Sequence, residues 1–335
     1  MTFGFWCLVA AVLAFAITAV SGKWMIPFLH RLKFGQTIRE VGPKWHQKKQ
    51  GTPTMGGIMF ILGITVAALV CVPLYFATGG TQETHLQTVR VYGGLLMALG
   101  FGLIGFMDDY ISVVKKRNMG LNERQKMVMQ FLVAGAYLLS LYVAGDTSAM
   151  VIPFVGTVDW GIVYWIIALL AIVGMNNAVN FTDGIDGLNS TVTFFFCLFM
   201  MLCAGALSLS GLSILAAAAA GGCLGFLVWN FNPAKVFMGD TGSLFLGGLV
   251  CALAFGLDMP ILLLPAGIIY LCELGSVVLQ VTYFKLTHGK RIFKMSPIHH
   301  HFEMSGWNEV KICAVFGFVT LIGGAVALAC VLFGV

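Results

Sequence analysis

Apolar runs of about twenty residues recur along this chain, separated by shorter polar connections, and their length decides the architecture. Ten such runs are read at approximately 3–22, 55–77, 89–107, 126–144, 160–179, 190–209, 211–229, 242–257, 260–284 and 311–333. A helix rises about 1.5 Å per residue, so each run can cross roughly 30 Å of hydrocarbon. The strand-length alternation of a membrane barrel is not found in the sequence. The expectation is an all-α polytopic membrane protein with about ten transmembrane helices. No fixed-period repeat or soluble insert divides it, so 1–335 reads as a single domain.

Composition sharpens this reading. The chain is 59% hydrophobic and 10% charged, against roughly 25% charged in ordinary soluble domains. Its nine cysteines lie mostly inside apolar runs without C-x-x-C spacing, as small buried side chains do. The first run has no Lys or Arg before it and meets its first charge at Lys23, unlike a cleavable signal with a basic leader. It is expected to be a retained span.

Charge placement then orients the bundle. Eighteen of the nineteen Lys and Arg residues fall in alternate connections, leaving only Arg90 on the other side. By the positive-inside rule those connections are cytoplasmic and both termini extracytoplasmic. The same connections hold nine of the fourteen acidic residues. A basic surplus favours an anionic cytosolic ligand or anionic membrane lipids. Topology charge alone accounts for the surplus equally well, but not for where the carboxylates stand.

Five inner connections carry the candidate chemistry. The first contains Lys48, Lys49 and the turn GTPTMGG at the start of the second span. Ammonium groups beside free backbone N–H groups at a helix start suit phosphate; a helix-capping turn beside topology lysines is the alternative. The second is GFMDDYISVVKKR, where Asp108 and Asp109 end a long apolar run. Neighbouring carboxylates can hold a divalent cation, or one can act as base while the other adjusts its pKa; the plain alternative is that they terminate the helix. The third, NNAVNFTDGIDGLN, puts Asn177, Asn180 and Asp183 on one helical face, with Asp186 following. Its spacing is not that of a calcium loop.

The fourth connection runs from Trp229 and Asn230 through Phe237 to Asp240–Thr241–Gly242–Ser243. Asp240 or Thr241 could simply cap the eighth span, yet Asp240 is also a third carboxylate at the same depth. The fifth, SPIHHHFE, presents His299, His300 and His301. An extended segment would turn His299 and His301 to one side. Glu273, near the middle of the ninth span, is left without a chemical role.

GFMDDY, NNAVNFTDGIDGL, FMGDTGS, SPIHHHFE and KKQGTPTMGG, all on inner connections, together resemble the polyprenyl-phosphate N-acetylhexosamine-1-phosphate transferases. SPIHHHFE and GTPTMGG resemble its muramoyl-peptide branch. The resemblance covers nearly the whole chain and implies transfer of phospho-MurNAc-pentapeptide from UDP-MurNAc-pentapeptide to undecaprenyl phosphate, giving lipid I and UMP. It implies a bacterial cytoplasmic-membrane enzyme of peptidoglycan synthesis, dependent on Mg²⁺, working as a homodimer and open to nucleoside antibiotics, with no nucleic-acid partner. Carried over by motif, Asp240 is the leading Mg²⁺ ligand, Asp108 the base on the lipid phosphate, and Asp109 an aid to metal or substrate. Asn177, Asn180, Asp183, Asp186 and Asn230 resemble the nucleotide side, with Phe237 a stacking surface. Lys48 or Lys49 and His299, His300 or His301 resemble phosphate or sugar contacts. GlcNAc-1-phosphate transfer is the near rival. A transporter is the rival of another class, and it would place ionisable groups at the midplane, where only Glu273 lies.

Overall fold

The computed structural model describes residues 3–32, 49, 51–114 and 120–335. Ten of its helices are long and apolar enough to cross a bilayer. They are α1 (Phe3–Arg31), α2 (Gly57–Ala77), α3 (His85–Val114), α4 (Glu123–Val143), α5 (Ile162–Phe181), α6 (Leu188–Ala206), α7 (Ser210–Asn230), α8 (Gly239–Gly256), α10 (Ile268–Leu286) and α12 (Glu309–Gly334). Among the described residues there are also two short helices, α9 (Leu263–Ala266), which follows a 3₁₀ turn at Pro260–Leu262, and α11 (Ile298–Glu303). The chain is a multi-pass, mainly helical membrane protein.

The centre is built from α7 and α8, whose residues are almost all buried. Their sequences, SGLSILAAAAAGGCLGFLVWN and GDTGSLFLGGLVCALAFG, are rich in Ala and Gly. Small side chains let helix backbones approach closely where lipid supplies no hydrophobic drive. Thus α1 packs on α7, and α3 packs along α8. A Cβ added at Gly221 would lie 2.1 Å from the Ala11 carbonyl oxygen, and one at Gly248 2.8 Å from Ala98 Cα. Outward faces carry Leu8, Val12, Leu132, Leu139, Val278 and Phe318, all exposed, as surfaces solvated by acyl chains should be.

Three spans differ from the sequence expectation in ways that matter. The first continues past Lys23 to Arg31. The third does not stop before the Asp pair, because α3 runs on through both to Val114; the carboxylates therefore point from a helix wall, with fixed spacing, and do not terminate it. The ninth is broken. Pro265 and Gly267 interrupt the run, so that α9 ends and α10 begins at Ile268. At this break α12 comes close, with a Cβ at Gly323 falling 2.1 Å from the Pro265 carbonyl.

The end of the bundle away from the site is pinned by polar contacts. Arg90, buried on α3, donates to Asp146 at 2.8 Å and lies 3.2 Å from Asp258. A hairpin joins α4 to α5, its strands β1 (Ala149–Ile152) and β2 (Gly156–Asp159) antiparallel with Ala149 opposite Asp159.

Candidate functional site

At the opposite end the connections close over the start of α8. Gly239, at φ +69°, begins the helix, and a Cβ there would meet Asp109 Oδ2 at 2.5 Å and Thr54 Oγ1 at 2.7 Å. The first N–H groups of a helix have no partner within it. Asp109 on α3 supplies one: it accepts from Asp240 N at 3.2 Å, Thr241 N at 2.9 Å and Thr241 Oγ1 at 2.6 Å. The cap for α8 thus comes from another helix, and it fixes Asp240 beside the Asp pair.

Asp240 is gripped at both oxygens. Asn180 Nδ2 donates to Oδ1 at 2.9 Å and to Ser243 Oγ at 2.7 Å, while Lys126 Nζ donates to Oδ2. Asp108 accepts from Leu121 N at 2.9 Å. Lys126 acts electrostatically on Asp240, Asp108 and Asp109 together. One ammonium therefore faces three carboxylates drawn from α3 and α8.

Asp183, in the turn after α5, adds a fourth carboxyl group. Among the described residues its carboxylate makes no hydrogen bond. Burial, and then the charges of Asp240, Asp109 and Asp186, hold its pKa well above the usual carboxylate range. Asn177 is engaged elsewhere. Its Nδ2 donates to Gln130 Oε1 at 2.6 Å and to Val173 O at 2.8 Å, tying α5 to α4.

Two N–H groups of the GTPTMGG turn are already used. Gly56 N donates to Phe237 O at 2.8 Å, Gly57 N to Met238 O at 3.0 Å, and Phe237 N to Pro53 O at 2.9 Å. The turn is zipped to the fourth connection, and this holds Phe237 half-buried beside α8. Gly57 is required, since a Cβ would fall 2.3 Å from Gly242 Cα. Asn230, buried, accepts from Gly187 N at 3.1 Å and donates to Val236 O at 2.9 Å, joining the third connection to the fourth.

Lys49 sits between two carboxylates, Asp186 and Glu309, each at 2.6 Å. Lys48 lies outside the described residues. The histidines are not on an extended segment: SPIHHHFE forms α11 from Ile298, with Pro297 at its N-cap, where a proline-fixed φ suits helix entry. Successive residues then fan out by about 100°. His299 is fully buried, with Nδ1 3.0 Å from Glu273 Oε2 and Nε2 aimed at Gly184, where a Cβ would be only 2.0 Å away. His300 Nδ1 lies 2.6 Å from Glu303 Oε2, and His301 Nδ1 accepts from Lys294 N at 3.2 Å.

Lys126 and Glu309 stand in the sequence only among the charges of the inner connections, and Glu273 is left there without a role. The capping box at Asn122–Gln125 was the available signal for Lys126, because it starts α4 at Glu123 and turns Lys126 back toward the Asp pair.

Asp, Asn and Lys groups gathered at one end of a multi-pass helical bundle form a charged site of the kind that meets an ionic ligand. Residues 91–257, from α3 to the end of α8, match the model for glycosyl transferase family 4. Residues 49–61 match phospho-N-acetylmuramoyl-pentapeptide-transferase signature 1. The chain is 47% identical over 315 residues to the phospho-N-acetylmuramoyl-pentapeptide-transferase of Heliobacterium modesticaldum, covering 93% of this chain and 94% of that one. The transferase of the same name from Acetivibrio thermocellus is 47% identical, with 93% and 91% covered. That from Halalkalibacterium halodurans is 45% identical, with 96% of each covered. The chain belongs to the phospho-N-acetylmuramoyl-pentapeptide-transferase family.

Proposed function

We propose that this chain transfers phospho-MurNAc-pentapeptide from UDP-MurNAc-pentapeptide to undecaprenyl phosphate, releasing UMP and leaving lipid I in the bilayer. The observation that carries the reading is the meeting of Asp108, Asp109, Lys126, Asn180 and Asp240 at one end of the bundle. One substrate is a water-soluble anion and the other is confined to a leaflet, and only a site at the membrane boundary meets both. On this reading that end faces the cytoplasm of a bacterial inner membrane, where the Lys and Arg surplus lies, and two copies of the chain work as a dimer.

The oxygen-rich donor set suits Mg²⁺, a hard cation that takes one or two carboxylates beside substrate phosphates. Among the described residues no three His, Cys, Asp or Glu groups form a ready cage, so on this reading substrate phosphates would complete the coordination. Lys126 against Asp240 already marks a place for positive charge. Asp240 is the principal ligand and Asp109 the second. When bound, the cation neutralises charge on the diphosphate.

Phosphoryl transfer asks mainly for positioning and charge neutralisation. Asp108 takes the proton from the lipid phosphate as it attacks the diphosphate phosphorus that bears the sugar, and UMP departs. Lys126 then offsets charge on the leaving group. Asn180 keeps Asp240 oriented, while Asp183, Asp186, Asn230 and Phe237 shape the nucleotide side. His299 reaches the same side from behind Gly184.

The test incubates purified chain with undecaprenyl phosphate and either UDP-MurNAc-pentapeptide or UDP-GlcNAc, measuring UMP release with and without Mg²⁺. Release only with the muramoyl peptide, and only with Mg²⁺, is expected. Release with UDP-GlcNAc alone overturns the substrate assignment. Asp240→Asn is expected to lower the rate at least ~10²-fold, the scale of losing a group that stabilises transition-state charge; an unchanged rate and Mg²⁺ dependence removes Asp240 from the metal site.

A further inference from the structure

Between Asp183 and Gly187 the chain carries two carboxylates of the site, and α12 holds this segment from outside. Glu309 is the first residue of α12, and Cys313 lies one turn on, along the same face. Glu309 Oε2 accepts from the backbone N–H of Asp186 at 2.9 Å, and Cys313 Sγ donates to the Asp186 carbonyl at 3.2 Å. Both main-chain polar groups of Asp186 are therefore held by α12.

The Glu309 carboxylate also faces Lys49, whose Nζ lies 2.6 Å from Oε1 and 2.8 Å from Oε2. Lys49 gives its remaining contact, 2.6 Å, to Asp186 Oδ1. Lys49 Nζ thus donates one hydrogen bond to each of the two carboxylates, and an ammonium has three donors. Asn232 Nδ2 reaches both Asp186 Oδ2 and Glu309 Oε2 at 3.2 Å, and Ala234 N donates to Asp186 Oδ2 at 2.9 Å. Glu309 thus fastens together the connections α1–α2, α5–α6 and α7–α8. Its hydrogen-bond partners among the described residues are Lys49, Asp186 and Asn232, and Asp108, Asp109 and Asp240 are not among them.

We propose that Glu309 is a positioning residue for the nucleotide half of the site, holding Lys49 and Asp186 in register so that the UDP-linked donor is bound. This rests on the transfer reaction proposed above. A carboxylate as buried as that of Asp186 is costly unless donors surround it. Without Glu309, Lys49 loses one of its two carboxylates and the Asp186 main chain loses its anchor. Donor affinity should fall while the step at Asp240 is left alone.

The experiment compares the purified full chain with Glu309→Gln and Glu309→Asp, measuring kcat and KM for the UDP-linked donor and for undecaprenyl phosphate, and UMP binding by calorimetry. Glu309→Gln is expected to raise donor KM and UMP Kd about tenfold, the scale of a lost hydrogen bond to a charged group. Its kcat stays within about threefold and lipid KM is unchanged, while Glu309→Asp recovers much of the donor KM. Wild-type donor KM and UMP Kd in Glu309→Gln overturn the proposal. So does a parallel decline of kcat, both KM values and melting temperature, which marks a merely structural residue. A wild-type chain that releases no UMP from any UDP-sugar fails the transfer reading itself, and this proposal with it; an active wild type beside an unaffected Glu309→Gln fails this proposal alone.

Discussion

Gly105→Ala adds one methyl group at the tightest contact between the two helices that carry the site carboxylates. Its Cβ would lie 2.0 Å from the Asp240 carbonyl oxygen, 2.3 Å from the Asp240 carbonyl carbon and 2.6 Å from Thr241 N. All three are backbone atoms, so no side chain can swing away. Ordinary contact begins near 3.4 Å, and the start of α8 must therefore retreat by about 1.4 Å in a densely packed interior. Two effects oppose one another in stability: alanine improves helix propensity over glycine by about 1 kcal/mol, while overpacking costs about 1–3 kcal/mol. The net loss is about 2 kcal/mol at most, small enough for the variant to fold. The kinetic effect is larger, because displacing a reacting group by about 1 Å can cost on the order of 10²-fold in rate. The assay is UMP release beside thermal unfolding in detergent, with Gly135→Ala as the control. Gly135 is also helical but has no atom within 4 Å of its added Cβ. A Gly105→Ala rate within threefold of wild type, or an equal fall in the control, refutes the argument.

Two further outcomes follow from named contacts. Asp183 is disfavoured as an anion in the folded chain, so the unfolded chain releases that proton at lower pH, and stability is lost as pH rises from the ordinary value of 3.8 through the raised folded one. Asp183→Asn should then melt above wild type at about pH 8 without divalent ions, with the gain vanishing toward about pH 4; a lower melting temperature at the alkaline end contradicts the charge account. Glu273 and His299 are both fully buried, so Glu273→Leu leaves Nδ1 of His299 without its acceptor and should cost about 1–3 kcal/mol. Glu273→Gln keeps an acceptor and should lose less, as thermal unfolding would show; equal stability of the two variants would mean that the contact carries no weight.

Much of the architecture was legible from run lengths, because twenty apolar residues with few charges have one economical structure in lipid. What periodicity missed came from local exceptions. The helix of GFMDDYISVV continues because nothing in it opposes helix, although Asp108 and Asp109 end its apolar character. Conversely, 260–284 reads as one mainly apolar run yet does not remain one helix across Pro265 and Gly267. The site was legible as a set of loops and opaque as a set of contacts. Asn177 and Asn180 share a helical face, yet one binds Gln130 and the other Asp240, a divergence set by which neighbour each meets. Lys126 and Glu309 were hidden because basic and acidic residues near span ends look alike whether they serve topology or a site.

The close seam between α3 and α8 extends beyond Gly105. A Cβ at Gly94 would sit 2.8 Å from Ala252 Cβ, one at Gly102 3.2 Å from Phe245 Cβ, and one at Gly248 2.8 Å from Ala98 Cα. Helices accommodate thinner or thicker bilayers chiefly by tilting. Rods seated against each other at four levels should tilt as one body. The spacing between the carboxylates of α3 and that of α8 is thereby insulated from the thickness of the membrane that supplies one of the substrates.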